Sequence, residues 1–114
     1  MVESIDLDAV FKSLSDPTRR DILKRLCEKN RTVGELAQNY RFSFAGVAKH
    51  IDVLEKAQLV SKSQHGKSQL VSLEAKTLEE ANNFLELFEK HWEERIDSLG
   101  EYLKSTYQKE GKKS

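Results

Sequence analysis

Hydrophobic positions recur at helical spacing through the first half of the chain. Ile5, Ala9 or Val10, and Leu14, with Phe11 alongside, predict a first helix over about residues 5–15. Asp16-Pro17 reads as the start of a second helix: Asp16 can accept from free N–H groups, and proline at the first helical position loses no hydrogen bond. Ile22, Leu23, Leu26 and Cys27 form its apolar stripe, and Asn30-Arg31 ends it. Thr32 followed three residues later by Glu35 is a capping box that opens a third helix, with Val33, Leu36, Ala37 and Tyr40 facing inward. A tight connection at Arg41-Phe42 leads to Ser43, the cap of a fourth helix. Its buried row is Val47, Ile51 and Leu54, and its end falls near Ala57.

From Leu59 the period changes to two. Val60, Lys62 and Gln64 alternate with Leu59, Ser61 and Ser63, and Val71 and Leu73 alternate with Leu70 and Ser72. His65-Gly66 lies between these arms, and the glycine supplies the positive φ of a tight hairpin. A single long helix then runs from about Ala75 to Tyr107. Leu78, Ala81, Leu85, Phe88, Trp92, Ile96, Leu99 and Leu103 follow its seam at spacings of three and four. Its 33 residues would reach about 50 Å, more than a domain this small can cover, so the seam predicts a homodimer. The expected interface joins Ile5 and Val10 of the first helix to Leu85, Phe88, Trp92, Ile96, Leu99 and Leu103. The fold class is therefore mainly α with a small β-hairpin: a winged helix-turn-helix, α-α-α-α-β-β-α, dimerising through its terminal helices. One domain spans 1–107, with 17–73 as its nucleic-acid-binding core and 75–107 as its dimerisation helix. Residues 108–114 read as a disordered basic tail.

Charge sharpens this picture. The 19 basic and 19 acidic residues cancel, which at face value argues against nucleic acid. The distribution argues the other way. Residues 17–67 hold 11 basic and 5 acidic side chains, whereas residues 74–103 hold 3 basic and 9 acidic. The helix-turn-helix segment is basic and the long helix acidic. No run approaches the ~18 apolar residues of a membrane span, and Met1 opens no basic-then-apolar signal segment, so a cytoplasmic location and no membrane partner are expected. Cys27 is the one cysteine, which excludes an internal disulfide framework and a Cys-rich zinc cluster. Its place on the stripe of the second helix predicts a small core hydrophobe. Nothing in the chain forms a nucleophile elbow or a phosphate loop, so no enzyme activity and no cofactor are expected.

The stretches LSDPTRRDILKRL (14–26) and VAKHIDVLEKAQLV (47–60), with the hairpin SKSQHGKSQLVSL (61–73), resemble the ArsR/SmtB family of winged-helix repressors. HWEERIDSLGEYL (91–103) resembles the final helix of a subgroup that lacks metal ligands. The resemblance implies a prokaryotic repressor. One metal site of the family uses Cys-x-Cys at positions that here hold Thr32 and Gly34. The other needs paired Asp and His on the last helix, where this chain has only His91 among Glu89, Glu93 and Glu94. No metal site is expected. Positions matching Phe44 and Ala48 commonly carry Gln and Ser in the family, so hydrogen-bonded readout of bases is weakened here.

The N-terminal half of the second helix of such a motif enters the major groove. The expected DNA contacts are Arg41 in the turn, Ser43, Phe44, Ala45, Ala48, Lys49 and His50 on the helix, and Lys62, His65 and Lys67 on the wing. Phe44 and Ala48 can touch thymine methyl groups; the competing reading packs Phe44 under the helix start. The sequence thus predicts a homodimeric regulator, most simply a repressor, on double-stranded DNA with half-sites about 10 bp apart. A winged-helix protein-interaction module and a redox- or small-molecule-responsive sensor are the rivals. The inducer, if one exists, is unknown.

Overall fold

The structure, a computed structural model, describes residues 5–111, with the side chains of Trp92 and of 107–111 outside that description. The expected elements are present, in the expected order: α1 (Leu7–Ser13), α2 (Pro17–Glu28), α3 (Val33–Ala37), α4 (Phe44–Lys56), β2 (Val60–His65), β3 (Ser68–Leu73) and α5 (Ala75–Gly111). One element was not expected. β1 (Arg31–Thr32) adds to the hairpin and makes a three-stranded antiparallel sheet in the order β1-β3-β2. Two residues carry no periodicity, so this strand is set by its partners Val71 and Leu70 on β3.

Local chemistry sets most boundaries. The Asp16 side chain accepts from Arg19 N–H at 3.0 Å, with Pro17 in the first turn of α2. Thr32 and Glu35 form the full capping box, each side chain accepting the other's backbone N–H at 3.1 Å. The hairpin turn places Gly66 at φ +61°, where its lack of a Cβ removes the left-handed penalty. The end of α4 has no such glycine. Gln58 takes φ 63° while Leu59 N–H donates to the Leu54 carbonyl (3.0 Å) and Gln58 N–H to that of Glu55 (2.9 Å). This is a Schellman closure, completed by the packing of Leu54 and Leu59, both fully buried.

The chain divides into two compact units, Met1–Ala81 and Asn82–Ser114. The first holds the core, in which Ile22 and Leu26 of α2, Leu36 of α3, the Val47/Ile51/Leu54 row of α4, Leu59, Val60 and Val71 are buried. Val10 of α1 is also fully buried here. It therefore belongs to the chain's own core and not to the dimer interface expected from the sequence, whereas Ile5 is only partly buried. Cys27 departs from expectation too: it is exposed. At 100° per residue it lies about 40° beyond Leu23, which is already the edge of the buried arc.

The second unit is the helix from Asn82 onward. It presents Leu85, Phe88, Ile96, Leu99 and Leu103, each at least half exposed. Trp92, on the same predicted seam, lies outside the described side chains. Helix α5 continues to Gly111, past the start of the tail expected at 108, and residues 112–114 lie outside the described residues. Among the described residues no helix is long and apolar enough to cross a membrane.

Two groups far apart in sequence tie the helix-turn-helix to α2. Tyr40 donates its hydroxyl hydrogen to Asp21 Oδ2, which also accepts from Arg25 Nε at 2.8 Å. The Arg25 guanidinium stands 5.8 Å from the Tyr40 ring centroid. The hydrogen bond from Tyr40, with that from Arg25, holds the Asp21 carboxyl below its ordinary value. Burial and the bond to Asp21 push the Tyr40 hydroxyl up to about 12. The Arg25 and Asp21 side chains are 36% and 40% exposed, so their ion pair adds little and the tyrosine carries the tie.

Tyr40→Phe is expected to lower stability at pH 7 by about 1 kcal/mol in urea unfolding. The Asp21 contribution is present above its ordinary pKa of 3.8 and is lost as pH falls through the lowered folded value. That of Tyr40 is present below 10.0 and is lost as pH rises through about 12. The gap between wild type and variant should therefore narrow at both extremes; a constant gap would assign the loss to packing. Gln58→Gly should raise the stability measured in the same way by about 0.5–1 kcal/mol, because it relieves a left-handed side chain.

Candidate nucleic-acid interface

Burial of Val47, Ile51 and Leu54 fixes the rotation of α4. Residues on the far side of that row, Ala45, Lys49 and Asp52, are consequently exposed. Ser43 caps the helix, its hydroxyl accepting from Gly46 N–H at 3.1 Å. The preceding turn holds Arg41, exposed, and Phe42, whose ring stands 6.3 Å from that of Tyr40 and 6.0 Å from that of His50. Phe44 is 59% exposed, so the reading that packs it under the helix start is set aside.

Three of the expected contact residues are placed differently. Ala48 is half-buried and packs against the core, since it lies on the flank of the buried row. The His50 ring is turned to the start of α2, with Nδ1 3.3 Å from Arg19 Nη1 and 3.9 Å from Asp16 Oδ2. Arg19 is itself anchored, its Nε donating to the Ser13 carbonyl at 2.6 Å. His50 thus braces α4 against α2. Lys62 donates to Asp52 Oδ1 at 2.6 Å and lies 3.3 Å from Glu55 Oε1. The bond to Asp52 raises the Lys62 ammonium above its ordinary value against the opposing effect of desolvation, and Glu55 adds to the rise. Lys62 joins the first residues of the wing to the outer face of α4, and its charge is spent within the chain.

The tip of the wing is different. His65 and Lys67 are exposed, and Gln64 Nε2 closes the turn on the Gly66 carbonyl at 2.9 Å. Arg41, Lys49 and Lys67 have no acidic partner at ion-pair distance among the described residues. With Lys56 in the last turn of α4, also exposed and without an acidic partner among the described residues, they are cations on the turn, the outward helix face and the wing tip that remain available to an external anion. No group of three metal-ligating side chains lies together among the described residues. The ion pair of Lys62 was not legible beforehand: its partners are ten and seven residues away, on a different element. The two acids at positions 52 and 55, facing the strand that follows, were the available signal.

The geometry matches known proteins. The family model for the bacterial regulatory proteins of the arsR family matches residues 16–62, from the cap of α2 to the start of the wing. The transcriptional repressor SdpR of Bacillus subtilis (strain 168) is 32% identical over 79 residues, covering 69% of this chain and 88% of that protein. An ArsR-like transcriptional regulator from Rhodococcus sp. RHA1 superimposes with a TM-score of 0.67 at 28% identity, covering 82% of this chain and 88% of that one. The homodimeric winged helix-turn-helix DNA-binding domain Mb0332 (fragment 1–100) from Mycobacterium bovis shares the fold, with a TM-score of 0.61 at 19% identity over 76% of this chain and 82% of that one. With its capped α2, its α3-turn-α4 motif and its wing, the chain belongs to the ArsR family of bacterial regulatory proteins and has their winged helix-turn-helix fold.

Proposed function

We propose that the protein is a homodimeric transcriptional repressor that binds an imperfect palindrome through α4 and the wing tip. The observation that carries this reading is the set of unpaired cations Arg41, Lys49 and Lys67 on three consecutive parts of the motif. Phosphate contacts from such residues supply the sequence-independent part of the affinity. Ser43, Phe44 and Ala45 stand at the end of α4 that meets base edges in this motif, and His65 at the wing tip lies in reach of the backbone or minor groove. His50, Ala48 and Lys62 act one step back, by setting how α4 and the wing are held. Repression would follow from occupying a promoter, the role carried by the name of the Bacillus subtilis relative.

Dimerisation is supported by the second unit. Leu85, Phe88, Ile96, Leu99 and Leu103 repeat at helical spacing and are 50–58% exposed, a stripe that a soluble helix leaves open only at a cost. A second copy of the same helix offers a matching stripe. Two α4 helices related by a two-fold axis then call for half-sites about 10 bp apart, centre to centre.

Two measurements test this reading. Anisotropy titrations on a duplex from the protein's own upstream region, at rising salt, should show affinity falling steeply with salt. Lys49→Ala is expected to weaken binding and reduce the slope of log K against log salt by about one. Lys62→Gln should weaken binding with the slope unchanged, since it removes a brace and not a phosphate contact; a slope reduced by one would put Lys62 on the DNA. Affinity independent of salt, with the dimer intact, would favour a protein-interaction module. Separately, Leu99→Glu is expected to convert the dimer to monomer in sedimentation analysis while leaving the helical circular dichroism of the first unit in place. An unchanged sedimentation coefficient would remove the helix from the interface.

A further inference from the structure

Helix α4 begins with a residue whose exposure the rest of the fold does not explain. Phe44 is 59% exposed at the first position of the helix. Its neighbour Phe42 is also exposed, at 51%, but its ring is engaged by Tyr40 and His50. Phe44 has no ring partner among the described residues and does not pack on the core. It lines a cleft together with Thr32, Val33 and Gly34 at the start of α3 and with Gln64, Lys67 and Gln69 of the wing. Leaving an aromatic ring in water forgoes the free energy that its burial would release. A partner surface that supplies an apolar group at this point recovers it.

The base edges of the major groove offer one apolar group, the C5-methyl of thymine; every other feature there is a hydrogen-bond donor or acceptor. The N-terminal end of α4 is correspondingly poor in polar readers. The Ala45 side chain has no polar atom, and the Ser43 hydroxyl oxygen already accepts from Gly46 N–H. Lys49, one turn on, is the charged donor of this face. We infer that Phe44 is the specificity-determining residue of α4, packing its ring on the methyl group of a thymine at one fixed position in each half-site. This rests on the reading of α4 as the DNA-contacting helix. It adds what that helix selects: an A·T pair recognised by shape and apolar contact, in place of a hydrogen-bonded base.

The test uses the full-length protein and duplexes that it selects from a random-sequence pool. Each selected duplex is remade with deoxyuridine for thymine, one position at a time, which deletes a methyl group and nothing else. One position per half-site should then weaken wild-type binding about threefold to fivefold, the scale of one buried methyl group. Phe44→Ala should lose at least that factor on the thymine duplex and be indifferent to the exchange. Phe44→Leu should keep part of the sensitivity, and thermal melting of both variants should match wild type because the ring is not part of the core. If selected duplexes bind but no exchange matters, or it matters equally in Phe44→Ala, the assignment is overturned while DNA binding by α4 stands. If no duplex is selected or bound at any salt concentration, the reading of α4 itself fails and the assignment falls with it.

Discussion

The row Val47, Ile51 and Leu54, wholly withdrawn from water, is the constraint on which the rest of the molecule turns. A helix advances 100° per residue, so fixing one row fixes every other side chain on it. With these three residues against the core, Ala45 and Lys49 have nowhere to point but outward, and Ala48 and His50 fall on the flanks. The flanks are then used for holding. Ala48 fills the rim of the core, and His50 meets Arg19 and Asp16 at the start of α2. Rotating α4 by a single residue would bury Lys49's neighbours and expose the core, at a cost of several kcal/mol for three large aliphatic side chains. The direction of the outward face of α4 is therefore as strongly determined as the core.

Around that helix the chain uses its charges selectively. Net charge is zero, but charge within ion-pair reach of an opposite partner differs from charge that faces outward. Lys62 is consumed by Asp52 and Glu55, and Arg25 and Arg31 by acids one turn away on their own segment. What remains on the turn, α4 and the wing, among the described residues, is a small set of exposed cations without an acidic partner: Arg41, Lys49, Lys56 and Lys67. In the proposed reading, a surface of this kind positions DNA with few phosphate contacts. The proposed readout by shape and apolar contact fits the exposed Phe44 and the methyl-bearing Ala45. The same pattern explains how a chain of zero net charge belongs to a family of regulatory proteins.

The legible part of the fold was the part decided within a few residues. Caps at Asp16, Thr32 and Ser43, the glycine in the hairpin and the three-to-four spacing of Val47, Ile51 and Leu54 act through neighbours one turn away, and each was found where local chemistry put it. The failures share a different cause. Cys27 sits at the edge of an amphipathic arc, where a difference of 40° separates buried from exposed, and periodicity does not resolve it. Val10 fits a helical stripe equally well whether that stripe faces a partner or the chain's own core. The end of α4 carries no glycine, so its left-handed closure at Gln58 had no compositional mark.

The candidate interface divides along the same line. Sequence by itself determined which residues lie on α4 and the wing, because the motif is local and its order is fixed along the chain. Tertiary structure alone decided which of their side chains are available. Lys62 and Lys67 are five residues apart and chemically identical, yet one is paired across to α4 and the other is exposed at the turn. Tyr40 and Asp21, nineteen residues apart, and β1 against β3 are likewise brought together only by the packed core. The physical reason is the range of the interactions. Caps and helical periodicity are satisfied within a turn and leave their mark on the local sequence; ion pairs and sheet partners join segments whose proximity exists only once the core has closed.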